Sequence, residues 1–525
     1  MSAPRFAVTA IERFEWPFTL RMPFRFGVIT VTQGRQAVLR ARIRDEAGRE
    51  AWGVAAESLA AKWFDKDPAL SDAENEDQLR RSLELASDAA LAAGMNTAFG
   101  HFADGYADHV AACGREALNP LVASYGRALV DRAALDALLK LRGVSFFAGM
   151  RANIGGMAPH AAAPDLAGFD FAAMLERLSP ARRIHARHTV GLVDPITAAD
   201  QSARVDDGLP ETLEEVATVY GHRYWKLKVA GDVAADIDRL CRIAAVLGQQ
   251  PGYHASLDGN EQYADAEGAA ALWAAMQAEP RLARLCGSIL FIEQPVKRAR
   301  ALETGMAALA AARPVIIDES DGALDAFVQA RALGYAGVSS KSCKGVWRSL
   351  INLARCRAWN AAGGRYFLSG EDLTTLAGVC VQQDLALVAL LGLAMSSATA
   401  TTSSTASPAG RNPRRCASWR PTRTSTPIRR AGRGCGSPAA CWSSARSMSQ
   451  ASARRWSPTS RRWSRCRPRA GRPDRPPDLG RWPGRVNAPR AVPSRRRSSR
   501  PSAIAGAGPR RRGPRRPPPA CAGRR

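Results

Sequence analysis

The sequence predicts an α/β protein: an α+β domain over residues 1–145, a (β/α)8-type, TIM-like barrel over 146–393, and a disordered tail over 394–525. Three observations carry this. Short runs rich in β-formers alternate with helical periodicity between residues 188 and 370; an antiparallel meander precedes them; and the composition changes abruptly near residue 394.

In the N-terminal domain, the strand-like segments are 7–14, 27–32 and 37–45, with turns expected at Gln33-Gly34 and at 46–48. Segments 72–112 and 127–141 read as helices. The barrel runs are 188–193, 224–229, 255–257, 288–292, 314–317, 336–339 and 366–368, and amphipathic stretches separate most of them. Strands joined through helices imply a parallel sheet. Seven runs approach the eight strands of a barrel, so the barrel is expected to lack its last strand.

The tail is a different text. The chain holds 74 Lys+Arg and 48 Asp+Glu, a net of +26 that would suggest a nucleic-acid binder. However, 32 of the basic residues, all Arg, and only two acids fall within 396–525, a net of +30. The preceding 395 residues keep 42 basic and 46 acidic groups, a net of −4. A segment of Arg, Pro, Ser, Ala and Gly buries too little apolar surface to order itself. Arg without Lys, in residues with GC-rich codons, reads as translation in the wrong frame from about residue 394. The longest apolar run, 385–395, is too short to span a bilayer. No secretory segment is evident, and the cysteines before the tail are scattered, so a reduced cytoplasmic enzyme is expected.

Charged residues end five successive barrel runs: Lys226 and Lys228 in WKLK, Asp258 in SLDGN, Glu293 in FIEQP, Asp318 in VIIDES and Lys341 in VSSKSCKG. From Lys228 the intervals are 30, 35, 25 and 23 residues, each about one βα unit. Strand ends of a barrel open onto one face, so these groups converge on a single cavity. Taken singly, K-x-K is a solvated strand face and Asp-Gly-Asn a turn. Glu293 and Asp318 follow ILFI and PVII, though, and buried carboxylates must be paired or hold metal.

In this pattern the sequence resembles the enolase superfamily, and its K-x-K arrangement resembles the muconate-lactonizing (muconate cycloisomerase-like) subgroup. The resemblance implies that residues 1–145 cap the barrel and that Asp258, Glu293 and Asp318 ligate one Mg2+. It implies Lys228 and Lys341 as the acid/base pair, with Lys226 lowering the pKa of Lys228 or holding a substrate oxygen. Lys341 is preferred to Lys344 because it ends the strand run. Asn260 and Glu319 would steady the ligands. The implied reaction is proton abstraction α to a carboxylate through an enediolate, giving racemisation, epimerisation or cycloisomerisation. A dehydratase of the same superfamily is the alternative.

Substrate-binding residues are not identified. The resemblance implies that a loop at about 20–26 closes the barrel mouth, where Arg21 or Arg25 could meet an anionic substrate and Phe24 or Phe26 an apolar one, and Glu371 and Asp372 face the site after the seventh run. His254 and Cys343 are expected to pack. The eighth strand should follow Leu391; without it, two sheet edges would be exposed and the chain as written would be weakly active or inactive. Two other classes compete: a Schiff-base barrel lyase using Lys228 or Lys341, and an Arg-rich tail that binds nucleic acid. The expected partners are a small carboxylate substrate and no membrane, with no nucleic acid despite the basic tail; a homo-oligomer is compatible with this reading.

Overall fold

A computed structural model describes residues 2–303, 305–371, 376–398 and 441–443, all within the compact unit Met1–Trp482. The remainder of the basic tail, with the frame change inferred for it, lies outside the described residues. Among the described residues no helix is long and apolar enough to cross a membrane.

The capping domain is a three-stranded antiparallel sheet, β1 (Phe6–Phe26), β2 (Ile29–Asp45) and β3 (Glu50–Ser58), in that order. Four helices follow it: α1 (Ala61–Phe64), α2 (Asp72–Ala92), α3 (Ala98–Arg115) and α4 (Pro120–Arg142). On β2, Ala37, Leu39, Ala41 and Ile43 are wholly buried on one face, the period of two that a one-sided sheet requires. Helix α4 is buried over nearly its whole length. It starts at Asn119, whose side chain accepts from Leu121 and Val122 N–H, and stops at Gly143 in the left-handed region. Gly126 lets α4 meet α2, since a Cβ there would lie 2.2 Å from the Ser82 carbonyl oxygen.

The meander differs from the sequence reading in two places. Segments 27–32 and 37–45 belong to one strand, β2 (apart from the Gly27-Val28 turn), so Gln33-Gly34 is extended backbone paired with Phe18 and Thr19. The third strand is Glu50–Ser58, whose small residues carried no clear alternation. The helix expected over 72–112 is divided into α2 and α3, with Gly94 at φ 67° and the Thr97 hydroxyl capping the second.

The barrel consists of β4 (Arg183–Val190), β5 (Tyr224–Lys228), β6 (His254–Asp258), β7 (Ile289–Glu293), β8 (Val315–Ile317), β9 (Gly337–Ser340), β10 (Phe367–Gly370) and β11 (Met395–Ala398). These pair in chain order and β11 returns to β4, closing eight parallel strands. The expectation of a barrel lacking its last strand is therefore corrected, along with that of two open edges. Residues 395–398, assigned to the tail by composition, form the closing strand. Ser396 pairs with both Gly370 and Ala186, and His185 N–H donates to Ala394 O at 2.8 Å. Closure needs backbone groups rather than an apolar pattern, so MSSA serves although its composition resembles the tail. A short strand, Cys441–Ser443, pairs antiparallel with Arg183–His185.

On the outside of the wall, Trp225, Leu227, Leu257, Ile292 and Val338 pack in the main core. His188 on β4 stacks on His222 with ring centroids 5.5 Å apart, and both rings lie edge-on to Trp225. Burial pushes His188 down to about 3 and His222 down to about 4.

Two outcomes follow. Ser396→Pro removes an N–H from a strand paired on both sides and should lower unfolding stability by about 1–3 kcal/mol, read from urea midpoints. An unchanged midpoint would mean that 395–398 does not close the barrel. For the histidines, the unfolded chain protonates near pH 6.5 while the folded rings stay neutral. Their contribution is therefore intact above that pH and is lost as pH falls towards 4 and below. His188→Gln should make the acid slope of the urea midpoint shallower than in the parent; identical slopes between pH 7 and 4.5 would refute this.

Candidate active site at the barrel mouth

Lys226 and Lys228 alternate with Trp225 and Leu227 on β5, so the period of two sends both lysines to the inner face while their neighbours pack outward. Asp258 and Glu293 end β6 and β7 and are paired in register; Asp318 follows β8 directly, and Lys341 follows β9. The structure brings all six together, each no more than 7% exposed.

Lys226 is the hub. Its Nζ lies 2.9 Å from Asp258 Oδ2, 2.9 and 2.8 Å from Glu293 Oε1 and Oε2, and 2.7 Å from Glu371 Oε2. Lys228 Nζ lies 2.6 Å from Asp258 Oδ2 and donates to Asn260 Oδ1. Across the barrel, Lys341 Nζ lies 2.8 Å from Asp318 Oδ2. Lys344 also reaches Asp318, donating to its backbone carbonyl at 2.7 Å and to Ser339 Oγ at 2.8 Å. Lys344 is therefore anchored to backbone as well as to carboxylate, whereas Lys341 lies 4.1 Å from the centre of the Trp63 ring.

The charges shift one another. Burial lowers the Lys228 pKa below the ordinary lysine value, and the neighbouring Lys226 charge adds to this while Asp258 opposes it. Lys226 is itself raised: burial disfavours its charge, but Asp258 and Glu293 outweigh that. Glu293 is pushed up to about 7 by burial and by the adjacent Asp258 charge. Asp318 is held far below the carboxylate range, because Lys341 and Lys344 overcome the cost of burial.

Asn260 and Glu319 lie where they can steady these groups. Asn260 Nδ2 donates to Glu319 Oε1 at 3.1 Å, and both residues meet Lys66 of the capping domain. Asn260, two residues past β6, adopts φ 40°, and Gln294, directly after β7, adopts φ 34°; both are non-glycine residues in the left-handed region. Gln294 was not singled out from the sequence. Its Oε1 accepts from Asp318 and Ser320 N–H at 2.8 and 3.1 Å, which locks the β7 and β8 ends together. Arg187 was also missed; fully buried on β4, it pairs with Glu371 and donates to Ser256 Oγ at 3.3 Å. A charged residue inside the β-rich run RIHARHTV was its only signal.

Other expectations resolve differently. Residues 20–26 end β1, with Phe24 and Phe26 buried, and Arg21 is engaged by Asp207 at 2.6 Å. Glu371 faces the site but is held by Lys226 and Arg187; Asp372 lies outside the described residues. His254, expected to pack, is exposed and opens β6 at the end opposite Asp258, whereas Cys343 is buried as expected.

The donor set suits a small hard cation. Asp258 and Glu293 already share one ammonium within 2.9 Å; Glu293 Oε2, 2.8 Å from that ammonium, is a buried oxygen held by the ion pair without a well-aligned hydrogen bond. With lysine nitrogens lying against these oxygens, no group of three His, Cys, Asp or Glu among the described residues is preset as a metal cage.

The sequence matches no protein-family model and no curated protein. Solved structures do match. A mandelate racemase/muconate lactonizing protein from Herpetosiphon aurantiacus aligns with 75% of this chain and 90% of its own, at 19% identity and TM-score 0.50. The L-Ala-D/L-Glu epimerase from Bacillus subtilis, substrate-liganded, aligns over 75% and 90% at 17% identity and TM-score 0.48. A dipeptide epimerase from Enterococcus faecalis, complexed with Mg and the dipeptide L-Leu-L-Tyr, aligns over 74% and 90% at 15% identity and TM-score 0.48. With its antiparallel capping sheet and closed eight-stranded parallel barrel, the chain shares the fold of the Herpetosiphon aurantiacus mandelate racemase/muconate lactonizing protein.

Proposed function

We propose that the barrel mouth carries out Mg2+-dependent abstraction of a proton α to a carboxylate, giving racemisation or epimerisation of a small carboxylate substrate. The observation that carries this is the placement of the two lysines. Strands β5 and β9 are four steps apart in a closed barrel of eight, so Lys228 and Lys341 address the cavity from opposite sides. Of the three strands between them, two end in Asp258 and Glu293 and the third is followed directly by Asp318.

Those three carboxylates would hold the Mg2+, which when bound supplies the Lewis acid that makes an α-proton removable. Lys228 takes the proton: burial and the Lys226 charge favour its neutral form, the state a base requires. Lys341, kept protonated by Asp318 and Glu293 against the cost of burial, returns a proton to the opposite face of the enediolate. Lys226 holds the carboxylates in register and offers its charge to a substrate oxygen. Asn260 orients Lys228, and Glu319 orients Asn260. If only one lysine transfers a proton and the other assists electrostatically, the same arrangement supports cycloisomerisation.

Closure at β11 removes the open edges on which the expectation of an inactive product rested, so the full 525-residue chain is the proper test material. The six cysteines before the tail are buried free thiols, which supports a cytoplasmic, reduced setting.

The test is isotope exchange. The full chain, incubated in D2O with Mg2+ and a panel of dipeptides and N-acyl amino acids, should deuterate the α-carbon of at least one substrate. EDTA should abolish the exchange. Lys228→Ala should reduce it by about 100-fold or more for one enantiomer, the scale of a lost general base. A folded protein that deuterates nothing across the panel would refute the reading.

A further inference from the structure

The segment 61–66 of the capping domain reaches into the site with two side chains, and the proposed mechanism uses neither. Trp63, on α1, presents its ring to the Lys341 ammonium with Nζ 4.1 Å from the ring centroid, and it is 4% exposed. At that distance, in a desolvated setting, the face of an indole attracts an ammonium group. Three residues later, Lys66 Nζ donates to the Asn260 backbone carbonyl at 3.0 Å and to Glu319 Oε1 at 3.1 Å, and lies 2.6 Å from Glu261 Oε2. Asn260 is the residue whose Oδ1 accepts from Lys228. One short stretch of chain thus touches Lys341 directly and Lys228 through a single intermediary.

The segment is itself fixed. Arg298, which opens the short helix Arg298–Ala301 after β7, donates to the carbonyls of Trp63 and Phe64 at 2.8 and 2.7 Å and pairs with Glu261. Asn119 donates to the Phe64 carbonyl at 3.2 Å. The Trp63 ring stands edge-on to Phe64 at 4.9 Å, and Phe64 edge-on to Tyr125 at 5.2 Å. Trp63 and Lys66 therefore project from a braced platform. Asn260 and Glu261, at φ 40° and 70°, keep an unfavourable backbone conformation at the point where Lys66 binds.

We infer that residues 61–66 form a two-armed positioning clamp, Trp63 setting the Lys341 ammonium and Lys66 setting Lys228 through Asn260, so that the capping domain aligns both proton-transfer groups at once. This rests on the proposed proton-transfer reading. Trp63 and Lys66 are positioning residues; neither exchanges a proton. The arrangement couples seating of the cap to alignment of the two faces of the reaction, and misplacing a reacting group by about 1 Å can cost about 100-fold in rate.

Enantiomer-resolved exchange in D2O tests it, because each lysine serves one face. Trp63→Ala should reproduce the enantiomer profile of Lys341→Ala in weaker form, lowering kcat for that enantiomer by about 30-fold with KM little changed; Trp63→Phe should recover most of the loss. Lys66→Met should reproduce the profile of Lys228→Ala. Equal losses for both enantiomers in either variant, or losses confined to KM, would show only a structural role for the segment and overturn the proposal. A second readout does not depend on turnover. In protein carrying 13C-ε-lysine, the Lys341 signal, assigned with Lys341→Met, should be shifted upfield by the Trp63 ring and return to the ordinary lysine position in Trp63→Leu. If no substrate exchanges at all, the functional reading fails on its own; an unshifted Lys341 signal overturns the clamp regardless.

Discussion

At the centre of the barrel mouth a single ammonium, Lys226 Nζ, lies within 3 Å of the carboxylates of Asp258, Glu293 and Glu371. Charges this deeply buried are tolerated only when they are paired and hydrogen-bonded; a lone carboxylate there would neutralise or pull the structure open. Much of the site's architecture serves that constraint. Asp258 is shared with Lys228, and Asp318 with Lys341 and Lys344, while Arg187 takes the second oxygen of Glu371. The result is two adjoining groups of paired charges, each buried from water. Their members perturb one another strongly: burial and the Lys226 charge lower Lys228, while Asp258 and Glu293 raise Lys226.

The capping domain meets the barrel through a second buried polar system. Arg132 on α4 pairs with Glu57 of β3 at 3.0 Å and donates to Ser342 Oγ and Gln383 Oε1 at 3.2 and 3.0 Å, while Ser342 is bonded to Asp384. These contacts lie one residue from Lys341. The position of the cap and that of one proposed acid/base group are thus set by neighbouring hydrogen bonds, and the Trp63 ring adds an aromatic contact on the same lysine. In physical terms the cap is part of the site's wall.

Much of this was legible beforehand, and the reasons are specific. WKLK carries both lysines to one face because a strand alternates, and Asp258, Glu293, Asp318 and Lys341 follow β-rich runs at barrel spacing. The parts that escaped lacked a local signal. Glu50–Ser58 is built from small residues whose burial comes from α4, and Gln33-Gly34 looks like a turn but lies extended within the long hairpin. Gln294 and Arg187 matter because of partners 24 and 184 residues away, Asp318 and Glu371. No window of sequence contains both members of either pair.

The sequence by itself determined the βα rhythm, the identity and order of the charged strand ends, and the point where globular composition stops. Alternation, spacing and apolar run length are local properties, and they survive without knowledge of the fold. Only the tertiary structure decided that the barrel closes, since Met395–Ala398 is a strand because β4 pairs along its length and β10 meets it at Gly370. It alone decided which lysine pairs with which carboxylate, and that Trp63 and Lys66 of the cap stand against the site. Those outcomes depend on desolvation and on contacts between distant segments, which come into being only when the chain has packed.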